Sequence, residues 1–152
     1  MRFLQHRARL TWEQHFSKLW ELSTTAFMNW RQNVDIHSLS RGFAFMPRVT
    51  FHSPDNRWRW AMAVAYFRAD DFNNRIYVYE PTLLQSMGFV SLYGRGGRLA
   101  TTLRYVSPQR RWFLQAKLGC TRFTDRSFQS SGPLLISSPW KTDVQLLLRY
   151  RW

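Results

Sequence analysis

This sequence predicts an all-β fold, an antiparallel up-and-down transmembrane β-barrel of eight or nine strands, and three observations carry that reading. Apolar side chains recur at every second position in segment after segment, the period of a strand with one apolar face. Eight Trp, six Tyr and twelve Phe among 152 residues exceed what a small core needs, and Trp and Tyr gather where a ring can lie half in lipid and half in water. The interleaved positions carry arginine and polar groups, as the interior of a transmembrane barrel does. No apolar run approaches the roughly 20 residues that cross a bilayer as a helix, so a helical membrane protein is excluded.

The first segment is the weakest, with Leu4, His6, Ala8, Leu10 and Trp12 set against Gln5, Arg7, Arg9 and Thr11. The second places Trp20, Leu22, Thr24, Ala26, Met28 and Trp30 on one face. The third gives Phe43, Phe45, Pro47, Val49 and Phe51, alternating with Ala44, Met46, Arg48 and Thr50. In the fourth, Trp58, Trp60, Met62, Val64 and Tyr66 oppose Arg57, Arg59, Ala61, Ala63 and Ala65. Residues 70–93 hold two further strands, near Arg75–Leu83 and Gln85–Tyr93, neither with a clean face. Leu99, Thr101, Leu103 and Tyr105 alternate with Ala100, Thr102 and Arg104. Trp112, Leu114, Ala116, Leu118 and Cys120 alternate with Phe113, Gln115, Lys117, Gly119 and Thr121. The last segment, Thr142, Val144, Leu146, Leu148, Tyr150 and Trp152, is the clearest. None of the apolar faces holds Asp, Glu, Lys or Arg, and Arg or Lys at the midplane of a barrel's lipid face costs about 2–4 kcal/mol.

Ser53-Pro54-Asp55-Asn56 and Ser107-Pro108-Gln109-Arg110 read as tight turns, built from residues that fix or tolerate turn dihedrals. Tyr93-Gly94-Arg95-Gly96-Gly97 reads as another break. Longer polar stretches run from Gln32 to Ser40 and from Thr124 to Pro139. Short turns on the periplasmic side and long loops outside are the habit of outer-membrane barrels. With Trp152 on the periplasmic side, two strands within 70–93 make nine and place Met1 outside the cell. Single-chain bacterial barrels have even strand numbers, so nine strands imply the C-terminal part of a larger barrel. One strand there would give eight and a small complete barrel. The N-terminus lacks the apolar stretch of a signal peptide. The expectation is therefore that a signal was removed or that the chain, one domain or barrel fragment over 1–152, is a piece of a longer one.

From Ala69-Asp70-Asp71-Phe72-Asn73-Asn74-Arg75-Ile76-Tyr77-Val78-Tyr79-Glu80, through Tyr93-Gly94-Arg95-Gly96 and Leu103-Arg104-Tyr105, to a turn and Trp112, the chain resembles the C-terminal barrels of Bacteroidota outer-membrane proteins that carry helix-hairpin-helix domains. The resemblance spans roughly Arg41 to Trp152 and implies a Gram-negative outer-membrane location. The helix-hairpin-helix segment itself has no counterpart here, so its DNA binding does not carry over, and no catalytic residues are implied.

Lys and Arg outnumber Asp and Glu by 22 to 9, for a net charge of +13. The lipid-facing and interfacial residues expected are Trp20, Trp30, Phe43, Phe45, Trp58, Trp60, Tyr66, Tyr105, Trp112, Leu146, Leu148, Tyr150 and Trp152. The basic residues expected to face the lumen are Arg48, Arg57, Arg59, Arg104, Lys117, Arg149 and Arg151, with Arg7 and Arg9 on the first strand. Such a lining either favours anions in a porin-like pore or pairs with carboxylates from a plug or from further strands. His6, His15, His37 and His52 fall at no metal-ligand spacing. Ser138-Pro139-Trp140-Lys141 matches S-x-x-K without its partner motifs, and Gly94, Gly96 and Gly97 lie in no βαβ unit. Cys120 on an apolar face reads as a small hydrophobe. No catalytic residue, metal or cofactor is expected.

The function expected is therefore non-enzymatic: outer-membrane barrel wall with a structural, transport or assembly role. Its expected partners are membrane lipid, the barrel-insertion machinery and a plug or added strands. The alternative is a soluble basic β-protein that binds nucleic acid through Arg and stacked aromatics.

Overall fold

The computed structural model describes residues 3–33, 38–84, 86, 88–127 and 137–152, and the period-two segments are strands. They are β1 (Phe3–His15), β2 (Trp20–Asn33), β3 (Ser38–His52), β4 (Trp58–Ala69), β5 (Ile76–Tyr79), β6 (Phe89–Leu92), β7 (Gly94–Val106), β8 (Trp112–Phe123) and β9 (Trp140–Tyr150). Seven of them form one sheet in the order β1-β2-β3-β4-β7-β8-β9, and β5 and β6 form a separate two-stranded sheet. Every pairing is antiparallel. The architecture is thus an up-and-down meander with one inserted hairpin, open at β1 and β9.

Among the described residues there are nine strands, the number one count of the sequence gives, but only seven build the main sheet. β4 and β7 pair along their length, from Trp58↔Tyr105 to Ala69↔Gly94, so residues 70–93 leave and return at the same end. The short strands β5 and β6 lie on the inner side of the sheet. Ile76, Val78 and Leu92 are buried there against Phe27, Ala44, Met46, Ala63, Ala65 and Phe67, with Val90 and Phe123 packed alongside. Four-residue strands with such one-sided burial are too short to show a face in the sequence.

Two turns share one construction. The backbone N–H of Ser53 and of Ser107 each donates to the carbonyl of the Trp five residues on, Trp58 and Trp112. Each serine Oγ accepts from that Trp N–H at 3.0 Å. The fourth residue, Asn56 or Arg110, takes a left-handed φ of 55° or 56°, the arrangement of a type I turn closed by a left-handed residue. These turns and Phe16–Leu19 define the turn end of the sheet. Residues 34–37, 70–93 and 124–139 connect strands at the opposite, loop end. β1 and β9 both run from the loop end to the turn end.

The supposed break at Tyr93–Gly97 is a correction, because β7 begins at Gly94. Glycine is needed there for close approach. A Cβ on Gly96 would lie 2.2 Å from the Arg122 carbonyl oxygen and 3.0 Å from Phe67 Cζ. The polar stretch expected over Gln32–Ser40 is shorter, since β2 runs to Asn33 and β3 begins at Ser38. Most of the 124–139 loop, and His37, lie outside the described residues.

Candidate functional site

The two faces of the sheet differ in kind. The inner face of its central strands is floored by small side chains: Ala44, Ala61, Ala63, Ala65, Ala69 and Ala100 are all buried. Their size leaves room for the hairpin, which three sets of contacts hold. Asn74, fully buried, donates to the Asn29 carbonyl at 3.4 Å, and Asn29 Nδ2 donates to the Arg75 carbonyl at 3.3 Å. Gln115 on β8 accepts from Leu84 N–H at 2.8 Å and donates to the Thr82 carbonyl at 3.1 Å. The third set is ionic.

Glu80, next after β5, reaches two buried cations. Arg98 meets it at 2.7 and 2.8 Å and Lys117 at 2.6 Å. Arg98 also donates to Thr121 Oγ1 at 2.8 Å and to Asp143 of β9 at 3.0 and 3.3 Å. Gly119 makes this possible, since a Cβ there would sit about 2.5 Å from the Asp143 carboxylate and 2.6 Å from Arg98 Nη2. Two cations thus face two carboxylates, so burial leaves no net charge uncompensated.

Towards the turn end the same inner face carries a basic cluster without close ion pairs, Glu21 and Glu13 acting on Arg48 only at longer range. Arg59 on β4 stands directly across from Arg104 on β7. Arg48 on β3 gives one N–H to the Tyr79 carbonyl. The Nε atoms of Arg48 and Arg104 are buried with no hydrogen-bond partner. These three arginines line a pocket of about 400 Å³ roofed by residues 80–84.

The outer face carries the large apolar side chains. Leu10, Met28, Phe43, Phe45, Val64, Leu99, Leu103, Leu114, Leu118, Val144, Leu146 and Leu148 are all exposed. At the turn end the rings meet in pairs. Trp20 packs on Phe51 with centroids 4.8 Å apart, Trp58 on Tyr105 at 4.5 Å, and Trp112 on Tyr150 at 4.7 Å. Trp60 lies edge-on to Trp20 and donates its indole N–H to Thr101 Oγ1 at 2.9 Å. Trp152 extends this belt beyond Tyr150 at 6.4 Å. A second set, Trp30, Phe43, Tyr66 and Trp140, lies towards the loop end. Within the described strands, charge returns to the outer face only at that end, at Arg41, Arg68, Arg95 and Arg122, and Arg122 lies 5.3 Å over the Trp140 ring.

Of the basic residues expected inside, Arg48, Arg59, Arg104 and Lys117 share the inner face. Arg149 is on β9, 5.9 Å over the Phe113 ring. Arg57 and Arg151 lie outside the strands: Arg57 is exposed in a turn and pairs with Asp55 at 3.4 Å, and Arg151 follows β9. Arg7 and Arg9, on the edge strand, are exposed. The sequence reading missed Arg98 and Glu80. Starting β7 at Leu99 cut off Arg98, although it alternates in phase with Arg104, and Glu80 fell in the stretch without a clean face.

In the loop, Asp125 binds Arg126 at 3.1 Å. Burial alone would raise the Asp125 carboxyl, but the hydrogen bonds and charge of Arg126, with the Arg95 backbone N–H, hold it below the usual carboxylate range. Among the described residues no group of His, Cys, Asp and Glu could hold a metal ion. No protein-family model matches the chain, and no curated protein or solved structure matches it.

Proposed function

We propose that this chain is membrane-spanning wall of a bacterial outer-membrane β-barrel, non-enzymatic, with a structural, transport or assembly role. One observation carries the reading: between its two aromatic sets the sheet turns large apolar side chains outward and carries its charged side chains on the inner face, and on the outer face charge appears only beyond that band, at Arg41, Arg68, Arg95 and Arg122. A water-soluble sheet does the reverse. The two aromatic sets add support. From Trp58 to Tyr66 the strand extends about 26 Å at roughly 3.3 Å per residue. At the roughly 40° tilt of barrel strands that is about 20 Å of height, near the roughly 25 Å apolar band of such barrels. The resemblance over Arg41 to Trp152 favours the same placement.

The open edges at β1 and β9 call for further strands to close the wall, consistent with the C-terminal part of a larger barrel. The hairpin packs on the inner face against β2, β3 and β4, so the wall brings a plug of its own. A nucleic-acid binder is less favoured. It would present arginines and aromatics together along an exposed face, whereas here Arg98 and Lys117 are buried in ion pairs, the turn-end aromatic belt carries no arginine on its own face, and exposed arginine meets aromatic rings only at the loop-end rim, as Arg122 does Trp140. Partition of the expressed chain decides the matter. Recovery with the outer membrane and release by detergent support the wall; a monomer stable in buffer without detergent overturns it.

A further inference from the structure

Beyond the wall role, we infer that the pocket between Arg48, Arg59 and Arg104 binds the phosphate group of a water-soluble molecule. Register puts Arg59 and Arg104 opposite one another on one face, where Cβ atoms are about 4.5–5.5 Å apart and like charges oppose folding. The third guanidinium, from Arg48, enters the same pocket from β3. In the network nearer the loop end, every buried cation has its carboxylate. Here none is held in a close ion pair: both oxygens of Glu80, the acid that borders the pocket, are engaged by Arg98 and Lys117, and Glu21 and Glu13 act on Arg48 only at longer range, against the repulsion of Arg59 and Arg9. The Nε–H groups of Arg48 and Arg104 are buried and unpartnered, an arrangement that is costly unless something accepts from them.

An anion between the guanidiniums removes both faults. Three guanidiniums lining one pocket suit a tetrahedral oxyanion with several acceptor oxygens better than a carboxylate with two. The volume, about 400 Å³, admits a phosphate with a small organic group attached. The arginines of the pocket lie on the inner face, opposite the apolar face, so in the proposed wall a membrane lipid headgroup does not reach it and the phosphate belongs to a solute.

The test uses the full chain in detergent, its fold checked by circular dichroism, titrated with inorganic phosphate against chloride at equal ionic strength. Saturable phosphate binding is expected, weakened about tenfold or more in Arg104→Gln. Arg59→Gln, at the exposed mouth, serves as a second variant that leaves the buried packing intact. Arg111→Gln, outside the pocket, should bind as the parent does. Absence of saturable binding, or equal binding by both pocket variants and the parent, overturns the site. The reading of the chain as wall fails separately: a chain soluble without detergent that still binds phosphate keeps the site and loses the wall.

Discussion

Arg98 grips Glu80 through two parallel hydrogen bonds, Nε to Oε2 at 2.7 Å and Nη2 to Oε1 at 2.8 Å, with both side chains buried. This pair joins β7 to the inserted hairpin, and Lys117 ties the same carboxylate to β8. Glu80→Gln leaves Arg98 with Asp143 alone and the buried Lys117 with no carboxylate. The expected loss is about 3–5 kcal/mol, the range for breaking a buried ion pair from one side. Urea unfolding in detergent, followed by tryptophan fluorescence, measures it, and a loss under 1 kcal/mol would show that the hairpin does not depend on this contact.

The alanine floor predicts an asymmetry between faces. Ala65 is buried beneath the hairpin, whereas Ala26 lies on the outer face of β2. Ala65→Leu should overpack the inner side, at about 1–3 kcal/mol, and expose residues 76–92 to protease. Ala26→Leu should be close to neutral. Equal proteolysis of the two variants would mean the hairpin does not rest on that floor.

Facing along β9 is testable with two neighbours. Leu146 is 73% exposed on the outer face, while Leu147 is on the inner side. Leu146→Arg places a guanidinium against lipid, at about 2–4 kcal/mol near the midplane, and should cut membrane assembly of the full-length protein sharply. Leu147→Arg should assemble far better, because the pleat reverses its face. Indistinguishable assembly of the two would refute the facing.

Aromatic depth offers a direct reading of the belt formed by Trp20, Trp58, Trp112 and Trp152. In bilayers, quenchers placed near the headgroups should reduce tryptophan emission more than quenchers at the bilayer centre, as interfacial rings require. Removal of Trp152 should slow assembly, since it extends the belt past Tyr150. Stronger quenching from the centre would place these rings elsewhere.

Acid should loosen the 124–127 segment before the strands. The Asp125 carboxyl is held below its ordinary value, so its contribution is complete above the unfolded pKa of about 3.9. It is lost as pH falls through the lower, folded value. Hydrogen exchange at this segment should rise below about pH 4 in the parent and be independent of pH over that range in Asp125→Asn. A parent profile as flat as that of the variant would show that the Arg126 pairing holds nothing in place.

Much of the fold is legible in the residues, and for a stated reason. A strand with one face in a different medium must alternate, so Trp58 through Tyr66 and Thr142 through Tyr150 mark themselves. The turns at Ser53 and Ser107 are legible because proline and a left-handed fourth residue leave few options. The hairpin was harder. Ile76, Val78, Val90 and Leu92 alternate over only four residues each, and nothing local says whether such a strand joins the wall or lies on it. The alanines of β4 were visible as an inner set, but their purpose depends on what they make room for, a non-local fact. The same holds for Arg98, whose partners Glu80 and Asp143 come from distant segments. Arg48, Arg59 and Arg104 could be placed on one face by parity, yet their want of a close ion pair appears only once Glu80 is seen to be occupied.

The direction of the two edge strands limits what can close this sheet. β1 and β9 run the same way, so two copies related by a rotation about the barrel axis would meet β9 to β1 as parallel strands. A two-fold axis lying across the barrel would restore antiparallel contact, but would send one copy's turn end, with its aromatic belt, to the opposite side of the membrane. Self-assembly by symmetry therefore offers no antiparallel ring in which both copies share one orientation. The closed antiparallel barrel proposed above thus requires strands of different sequence, odd in number, between β9 and β1. Cysteines placed at Ala8 and at Val144 in an otherwise cysteine-free chain should not cross-link between copies in membranes, and efficient cross-linking would point to a parallel seam instead.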